Sequence, residues 1–142
     1  MRRRTKSREL ALQILYQVDL RGDEVVGEIE EMLGTEQRDP DVVAYATRIV
    51  HGVLERREAI DGRIAETAEH WTIDRMAVID RNVLRLAVWE LLADDDEVPP
   101  KVVLNEAIEL GKRYSTAQSG AFINGILDRI HRTLETERGR DG

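Results

Sequence analysis

Apolar residues recur at steps of three and four along most of the chain, and this is the period of an amphipathic α-helix. Residues 10–18 form one such stripe, and Gly22 is placed to end the first helix. A shorter stripe over residues 25–33 predicts a second helix that stops at Gly34. The pattern therefore predicts two helices in the first quarter of the chain.

Two signals for the start of a helix occur in the middle of the chain. Asp39 before Pro40 combines a capping side chain with a residue suited to the first helical position. The stripe that follows covers residues 42–54, and a fourth segment covers residues 60–68. Thr72 can cap the next turn, after which residues 76–92 form the most apolar stretch, which we expect to be the central helix.

The last third of the chain predicts a loop and two more helices. The loop is expected at the acidic run 94–97 and at Pro99, because proline disfavours helical geometry in the residue before it. Residues 102–110 predict a sixth helix ending near Gly111, and Ser119 is placed to cap a seventh over residues 122–134. No alternating strand pattern competes with these seven segments, so the sequence predicts an all-α fold.

Length and composition narrow the class of protein. The chain has 142 residues, enough for one domain with its own core. It has no cysteine, which excludes disulfide scaffolds, thiolate zinc sites and cysteine nucleophiles. No apolar run approaches the ~18 residues that a membrane span needs, and the N-terminus does not resemble a signal peptide. We therefore expect a cytoplasmic protein that is not bound to a membrane.

The charge is unevenly distributed along the chain. There are 21 Lys and Arg against 28 Asp and Glu, which gives a net charge of -7. The first eight residues nevertheless contain no acid. Such a basic arm on an acidic body suits a protein that binds phosphates at one place and repels polyanions elsewhere, although a solvated, frayed terminus is the alternative. The cations of this arm are Arg2, Arg3, Arg4, Lys6 and Arg8.

The sequence offers no catalytic or cofactor-binding motif. The phosphate-binding patterns GxxxxGK[ST] and GxGxxG are missing, and the histidines lack metal-ligand spacing. Ser115 and Ser119 have no histidine near them in sequence, and the run 94–96 lacks the alternating ligands of a calcium loop. We expect no enzymatic activity, no metal and no cofactor.

Two stretches of the chain resemble a known family. The first is VLRLAVWEL at residues 83–91, and the second is NEAIELGKRYS at residues 105–115 followed by FINGILD at residues 122–128. Together with the Arg-rich start, they resemble the NusB family of bacterial transcription antitermination factors. The resemblance covers nearly the whole chain, and it is specific because residue identity, order and spacing all agree.

The resemblance implies a fold and a function. The fold is a single NusB-like domain of two small helical bundles packed across each other, from about residue 1 to 70 and from about residue 71 to 142. Family members bind the single-stranded boxA element of ribosomal RNA transcripts with NusE, a small-subunit ribosomal protein, and join the RNA polymerase elongation complex. Some members form homodimers, and the sequence leaves monomer and homodimer open.

The resemblance also implies which residues contact RNA. The arm residues match the family's basic arm, and cations there can release counterions from a nucleic acid strand. Phe122 matches an RNA-contacting position where a ring can stack on an unpaired base, although a core position is the alternative. Gln118 matches a position at which many relatives carry an acid, and a neutral side chain there should repel phosphate less.

Two further positions match residues that face NusE. Tyr16 offers apolar area and a polar tip, as interface tyrosines do, although it could equally be a half-buried core residue. Asp80 opens the central helix, where an acid is also favoured by the helix dipole.

Two other classes of protein remain as alternatives. Ribosomal RNA cytosine methyltransferases carry a NusB-like domain ahead of a catalytic domain, for which this chain has no room. A helical protein-interaction module that binds no RNA would use the basic arm only for solubility or dimerisation.

Overall fold

The computed structural model describes residues 2–36, 39–69, 72–93 and 98–139. Within these ranges the chain forms seven α-helices and no β-strand, which confirms the all-α prediction. No helix in the same ranges has the length and apolar character needed to cross a bilayer. The helices are α1 (Arg2–Arg21), α2 (Ile29–Glu36), α3 (Pro40–Glu55), α4 (Arg57–Thr67), α5 (Val78–Ala93), α6 (Pro100–Tyr114) and α7 (Ser119–Glu137).

Helix α1 includes the basic arm. It begins at Arg2 and ends before Gly22, whose φ of 76° is the left-handed conformation expected of a glycine after a helix. The apolar stripe predicted for this helix is buried and packs against α3 and α5. The prediction for the end of α1 is thus confirmed, and the arm continues the same helix.

The boundaries of the next two helices follow the sequence only in part. A 3-10 segment, Gly22–Glu28, precedes α2, and α2 continues through Gly34, so the predicted stop there is wrong. The predicted start of α3 is confirmed, because Asp39 accepts a hydrogen bond from the backbone N–H of Asp41 at 3.0 Å and Pro40 is the first helical residue.

Helix α5 is the centre of the molecule, as its apolar sequence predicted. Every residue from Asn82 to Leu91 is buried, and the helix packs against α1, α3, α4, α6 and α7. Thr72 precedes a short 3-10 turn, Ile73–Arg75, but its side chain makes no capping hydrogen bond. Because other helices surround α5 on several sides, the side chains of α5 supply much of the hydrophobic core.

Helices α6 and α7 form a close pair. Helix α6 was predicted to end near Gly111 and continues past that residue to Tyr114. Gly111 instead permits close packing, since an added methyl group would overlap the Ile123 side chain of α7. Ser119 is the first residue of α7 rather than its cap, and its hydroxyl accepts a hydrogen bond from the Thr116 N–H at 3.3 Å.

The predicted acidic loop at 94–97 lies outside the described residues.

A cluster of ion pairs fastens α1 and α4 to α5. Arg81 donates two hydrogen bonds of 2.7 Å to Asp19, and Asn82 donates another of 2.8 Å. Arg85 lies between Asp19 and Asp61, with N–O distances of 3.1 and 2.8 Å. Burial opposes ionisation of Asp19, but the hydrogen bonds from Arg81 and Asn82 outweigh it and hold the pKa of Asp19 below its ordinary value.

Candidate nucleic-acid interface

The basic arm forms the first two turns of α1. The N-terminal end of a helix carries a partial positive charge, and the first turn of α1 contains no acidic residue to balance it. Further cations at this end are unfavourable unless an anion lies beside them. The backbone of Arg2 lies in the helix, while its side chain is outside the described part of the structure. This end of the molecule is therefore suited to bind a phosphate.

Arg3 and Lys6 are the arm residues most accessible to a ligand. The Arg3 side chain is 68% exposed, with its Nη1 atom 2.8 Å from Asp41 and its Nε atom 3.5 Å from Asp39. Exposed pairs of this kind contribute little, so a phosphate can compete for the guanidinium. Lys6 is exposed and forms no ion pair with the described residues.

Arg4 lies at the contact between α1 and α3. Its guanidinium carbon is 3.8 Å from the centre of the Tyr45 ring, which is a cation–π geometry. The Tyr45 hydroxyl donates a 2.7 Å hydrogen bond to Glu90. Burial, together with the nearby Glu90 charge, raises the pKa of Tyr45 and keeps the hydroxyl protonated. Tyr45 therefore presents a neutral ring to Arg4 at the edge of the basic arm.

Arg8 is buried, and its placement does not support the prediction that it contacts RNA. Its side chain is 1% exposed, and its Nε and Nη2 atoms donate to the two carboxylate oxygens of Glu90 at 2.7 and 2.8 Å. Its Nη1 atom donates to Glu106 at 3.0 Å. Burial opposes the charge, but the hydrogen bonds and charge of Glu90 outweigh it and raise the pKa of Arg8. Arg8 therefore fastens α1 to α5 and α6 rather than facing solvent.

The first of two clefts brings three predicted site residues together. This α5–α7 cleft has a volume of about 260 Å³, a mostly apolar wall, and Asp80, Gln118 and Phe122 among its lining residues. Gln118 is exposed, while Phe122 is half-buried and packs against the core. Phe122 is thus both a core neighbour and a cleft residue, and the two interpretations of this position are compatible.

Asp80 is placed differently from an ordinary surface acid. Its Oδ1 atom is buried and makes no hydrogen bond with the described residues. It lies in the first turn of α5, where the helix dipole favours a negative charge. The position predicted to face a protein partner and the positions predicted to face RNA therefore share one cleft.

The second cleft lies between α1 and the end of α6. This α1–α6 cleft has a volume of about 140 Å³, and Tyr16, Ile79 and Tyr114 are among its lining residues. Ile79 directly precedes Asp80, so the two clefts flank the first turn of α5. The Tyr114 hydroxyl donates to Glu9, which also accepts a 3.0 Å hydrogen bond from Arg113. Tyr16 is half-buried, as an interface tyrosine or a core-edge tyrosine would be.

Sequence reasoning missed Tyr114 and Arg75. Tyr114 continues the apolar stripe of α6, a pattern that predicts burial, yet it is 40% exposed because the helix ends at this residue. Arg75 lies in the 3-10 turn before α5 and lines the α5–α7 cleft with an exposed side chain. No pattern in the sequence indicated that Arg75 would line a cleft, because a single basic residue in a short turn belongs to no periodic stripe.

The fold and these surfaces define a class of all-α proteins that combine a helix with a cationic end and clefts with aromatic lining residues. The described ranges hold no group of three or more acidic or histidine side chains arranged for a metal ion. The NusB family model matches residues 5–132, which is most of the chain. The chain belongs to the NusB family.

Individual relatives agree with this assignment. The transcription antitermination protein NusB of Anaeromyxobacter dehalogenans is 47% identical over 137 residues, covering 96% of this chain and 95% of the relative. A solved structure of T. maritima NusB is 42% identical with a TM-score of 0.83, covering 91% of this chain and 90% of that one. A structure of the antitermination factors NusB and NusE in complex with dsRNA has a chain that is 32% identical, with a TM-score of 0.81 and coverage of 94% and 98%.

Proposed function

We propose that this protein is a transcription antitermination factor that binds boxA RNA together with NusE. The family supports this role, since relatives that match along nearly their whole length are antitermination proteins. A similar chain has been solved with NusE and dsRNA. We expect a single strand to be the preferred ligand here, because an aromatic side chain can stack only on a base that is free of its partner.

The observation that carries the RNA-binding role is the helical basic arm. The first turn of α1 carries no acid of its own, and the exposed side chains of Arg3 and Lys6 place positive charge at this helix end of a protein of net charge -7. A polyanion would be attracted to this end and repelled by the acidic remainder. Arg2, Arg3, Arg4 and Lys6 are the proposed phosphate contacts, whereas Arg8 is omitted because of its burial.

The clefts supply the other half of the proposed site. Phe122 offers a ring for stacking on an unpaired base, and Gln118 lies beside it without adding negative charge. Tyr114, which is exposed and lines the α1–α6 cleft, is a candidate for a further RNA contact. Tyr16 and Asp80 are proposed to contact NusE, each from one of the two clefts.

Several finer features belong to the same proposal. We propose that the chain acts in the cytoplasm as part of the RNA polymerase elongation complex, and that it has no enzymatic activity of its own. The division into two subdomains near residue 70 stays a prediction, and so does the choice between monomer and homodimer. Size-exclusion chromatography with light scattering would determine the oligomeric state.

A titration of labelled boxA RNA tests the function directly. The protein is added with and without NusE, and a scrambled RNA of equal length and composition serves as the control. We expect tighter binding to boxA than to the scrambled RNA, and a further gain when NusE is present. Equal affinity for both RNAs in the presence of NusE would contradict the proposal.

Replacing the arm separates RNA binding from a protein-interaction module. In a variant with Arg2, Arg3 and Arg4 changed to serine, we expect weaker boxA binding and a shallower dependence on salt, with an unchanged helical circular dichroism spectrum. Each lost phosphate contact should reduce the log–log salt slope by about 0.7 for a single strand. Unchanged affinity would favour the interaction module.

A further inference from the structure

A basic residue of the neighbouring helix α3 shares an aromatic ring with the arm of α1. Arg48 is exposed on α3, and its guanidinium carbon lies 5.6 Å from the centre of the Tyr45 ring. The same ring carries Arg4 at 3.8 Å. One aromatic side chain is therefore shared by a cation of the arm and a cation of another helix.

Arg48 also lies near a second ring. Its guanidinium carbon is 5.9 Å from the Trp89 ring, and the Trp89 and Tyr45 rings are in edge-to-face contact with centroids 6.5 Å apart. Aromatic faces attract a guanidinium through its flat surface, which leaves the N–H groups in its plane available to an acceptor. The two rings thus position Arg48 without occupying its hydrogen-bond donors.

Acids near this part of the surface are already paired, Asp41 of α3 with Arg3 and Glu30 of α2 with His51. The neighbours of Arg48 on the α3 surface, three and four residues away, are Ala44, Tyr45, His51 and Gly52. Arg48 forms no ion pair or hydrogen bond with the described residues. The nearby acid Glu90 is buried against Arg8 and Tyr45, so its charge is already compensated.

We propose that Arg48 is a phosphate-contacting residue, through which the bound RNA strand extends from the arm of α1 across Tyr45 onto α3. This inference rests on the proposed RNA-binding function. The occupant is the RNA backbone because the patch offers charge and in-plane donors rather than an apolar depression. Phosphate contacts add affinity without reading sequence, so Arg48 should strengthen binding to boxA and to other single strands alike.

The test compares variants of Arg48 in the full chain. In Arg48→Gln we expect several-fold weaker RNA binding at low salt and a log–log salt slope that is shallower by about 0.7. Arg48→Lys keeps the charge and should retain most of the slope. Arg21→Gln is the matched control, because Arg21 is exposed at the opposite end of α1, about 30 Å from the arm.

Trp89 provides a readout that a structural role alone would not change. The edge of its indole faces Gly52 on α3, beside Arg48. In a Trp71→Phe background, the Trp89 Nε1–H resonance should shift on addition of RNA, and Arg48→Gln should reduce that shift. Circular dichroism melting of each variant checks that the fold is intact.

The outcomes distinguish this inference from the proposed function. If wild-type protein binds boxA but Arg48→Gln has the same affinity and salt slope, the role of Arg48 is wrong and the function stands. If Arg48→Gln loses affinity for NusE and not for RNA, the patch serves a protein partner and the inference is likewise overturned. If wild-type protein fails to prefer boxA, the proposed function itself fails.

Discussion

Arg8 of α1 and Glu90 of α5 form a bidentate ion pair in the interior, with side chains 1% and 2% exposed. Removing one member of such a pair leaves an uncompensated buried charge, which typically costs about 3–5 kcal/mol. We therefore expect Arg8→Met to lower the free energy of unfolding by roughly that amount, as measured by urea denaturation.

The control for this prediction removes both charges. A variant with Arg8→Met, Glu90→Leu and Tyr45→Phe removes the buried pair and the hydroxyl that donates to it, and leaves only Glu106, which is 19% exposed, without its cation, so it should recover much of the lost stability. A cost below about 1 kcal/mol for Arg8→Met alone would show that the pair is better hydrated than its burial indicates.

The close contact between Gly52 and Trp89 leads to a second prediction about stability. A methyl group at Gly52 would overlap the indole, so Gly52→Ala should destabilise the protein by about 1–3 kcal/mol through forced repacking of α3 against α5. Gly62→Ala on α4 is the matched control, since nothing lies within 4 Å of its added carbon. That change should stabilise the helix by about 0.5–1 kcal/mol. Thermal melts measure the change in stability of both variants. Equal changes in Gly52→Ala and Gly62→Ala would contradict the prediction.

Position 118 allows the effect of an added negative charge on RNA binding to be tested. An added carboxylate near a phosphate costs about 1 kcal/mol in a water-like environment at 4 Å, so Gln118→Glu should bind boxA roughly fivefold more weakly at low salt. Thr133→Glu adds the same charge farther along α7 and should change the affinity much less. Equal affinities of Gln118→Glu and wild type at low salt would exclude a role for this position.

Phe122 is expected to act through its ring rather than its volume. Phe122→Tyr keeps an aromatic face and should bind boxA almost normally, whereas Phe122→Leu should lose about 1–3 kcal/mol of binding free energy. Fluorescence anisotropy with labelled RNA measures the difference. Because Phe122 also packs against the core, melting temperatures must be compared, and equal affinities of both variants would assign it to packing alone.

Asp19 makes stability depend on pH in the acid range. Its pKa is lowered in the folded state, so its contribution is fully present above the ordinary pKa of an aspartate, near 4, and is lost as pH falls through the folded value. Asp19→Asn should therefore be destabilising at pH 7 and show a smaller loss on acidification than wild type. Urea unfolding at pH 7, 4 and 3 tests this, with Asp128→Asn on the surface of α7 as the control.

The sequence predicted the fold well because helical periodicity is a local property. Asp39 and Gly22 marked helix ends correctly, since a cap and a left-handed glycine act on their immediate neighbours. Gly111 was misinterpreted because it serves packing inside the helix, and packing depends on a distant partner, Ile123. Gly34 does not end α2 either, since that helix continues to Glu36.

The candidate site was harder to predict for the same reason. Arg8 resembles its neighbours in a basic run, and only the tertiary position of Glu90 shows that it is buried. The meeting of Asp80, Gln118 and Phe122 in one cleft likewise requires the packing of α5 against α7. Arg48 belongs to no basic run, and its place beside the arm follows from the contact of α3 with α1.

Helix α1 carries the proposed phosphate contacts at one end and Tyr16, the proposed NusE contact, several turns later, and ion pairs hold it at Arg8 and again at Asp19. Because α1 is one continuous helix held at two points, the length between those points is fixed by the helical rise. The proposed RNA-binding end and the proposed NusE-binding middle of α1 are thereby kept at a constant separation, which would set the distance between the two bound ligands.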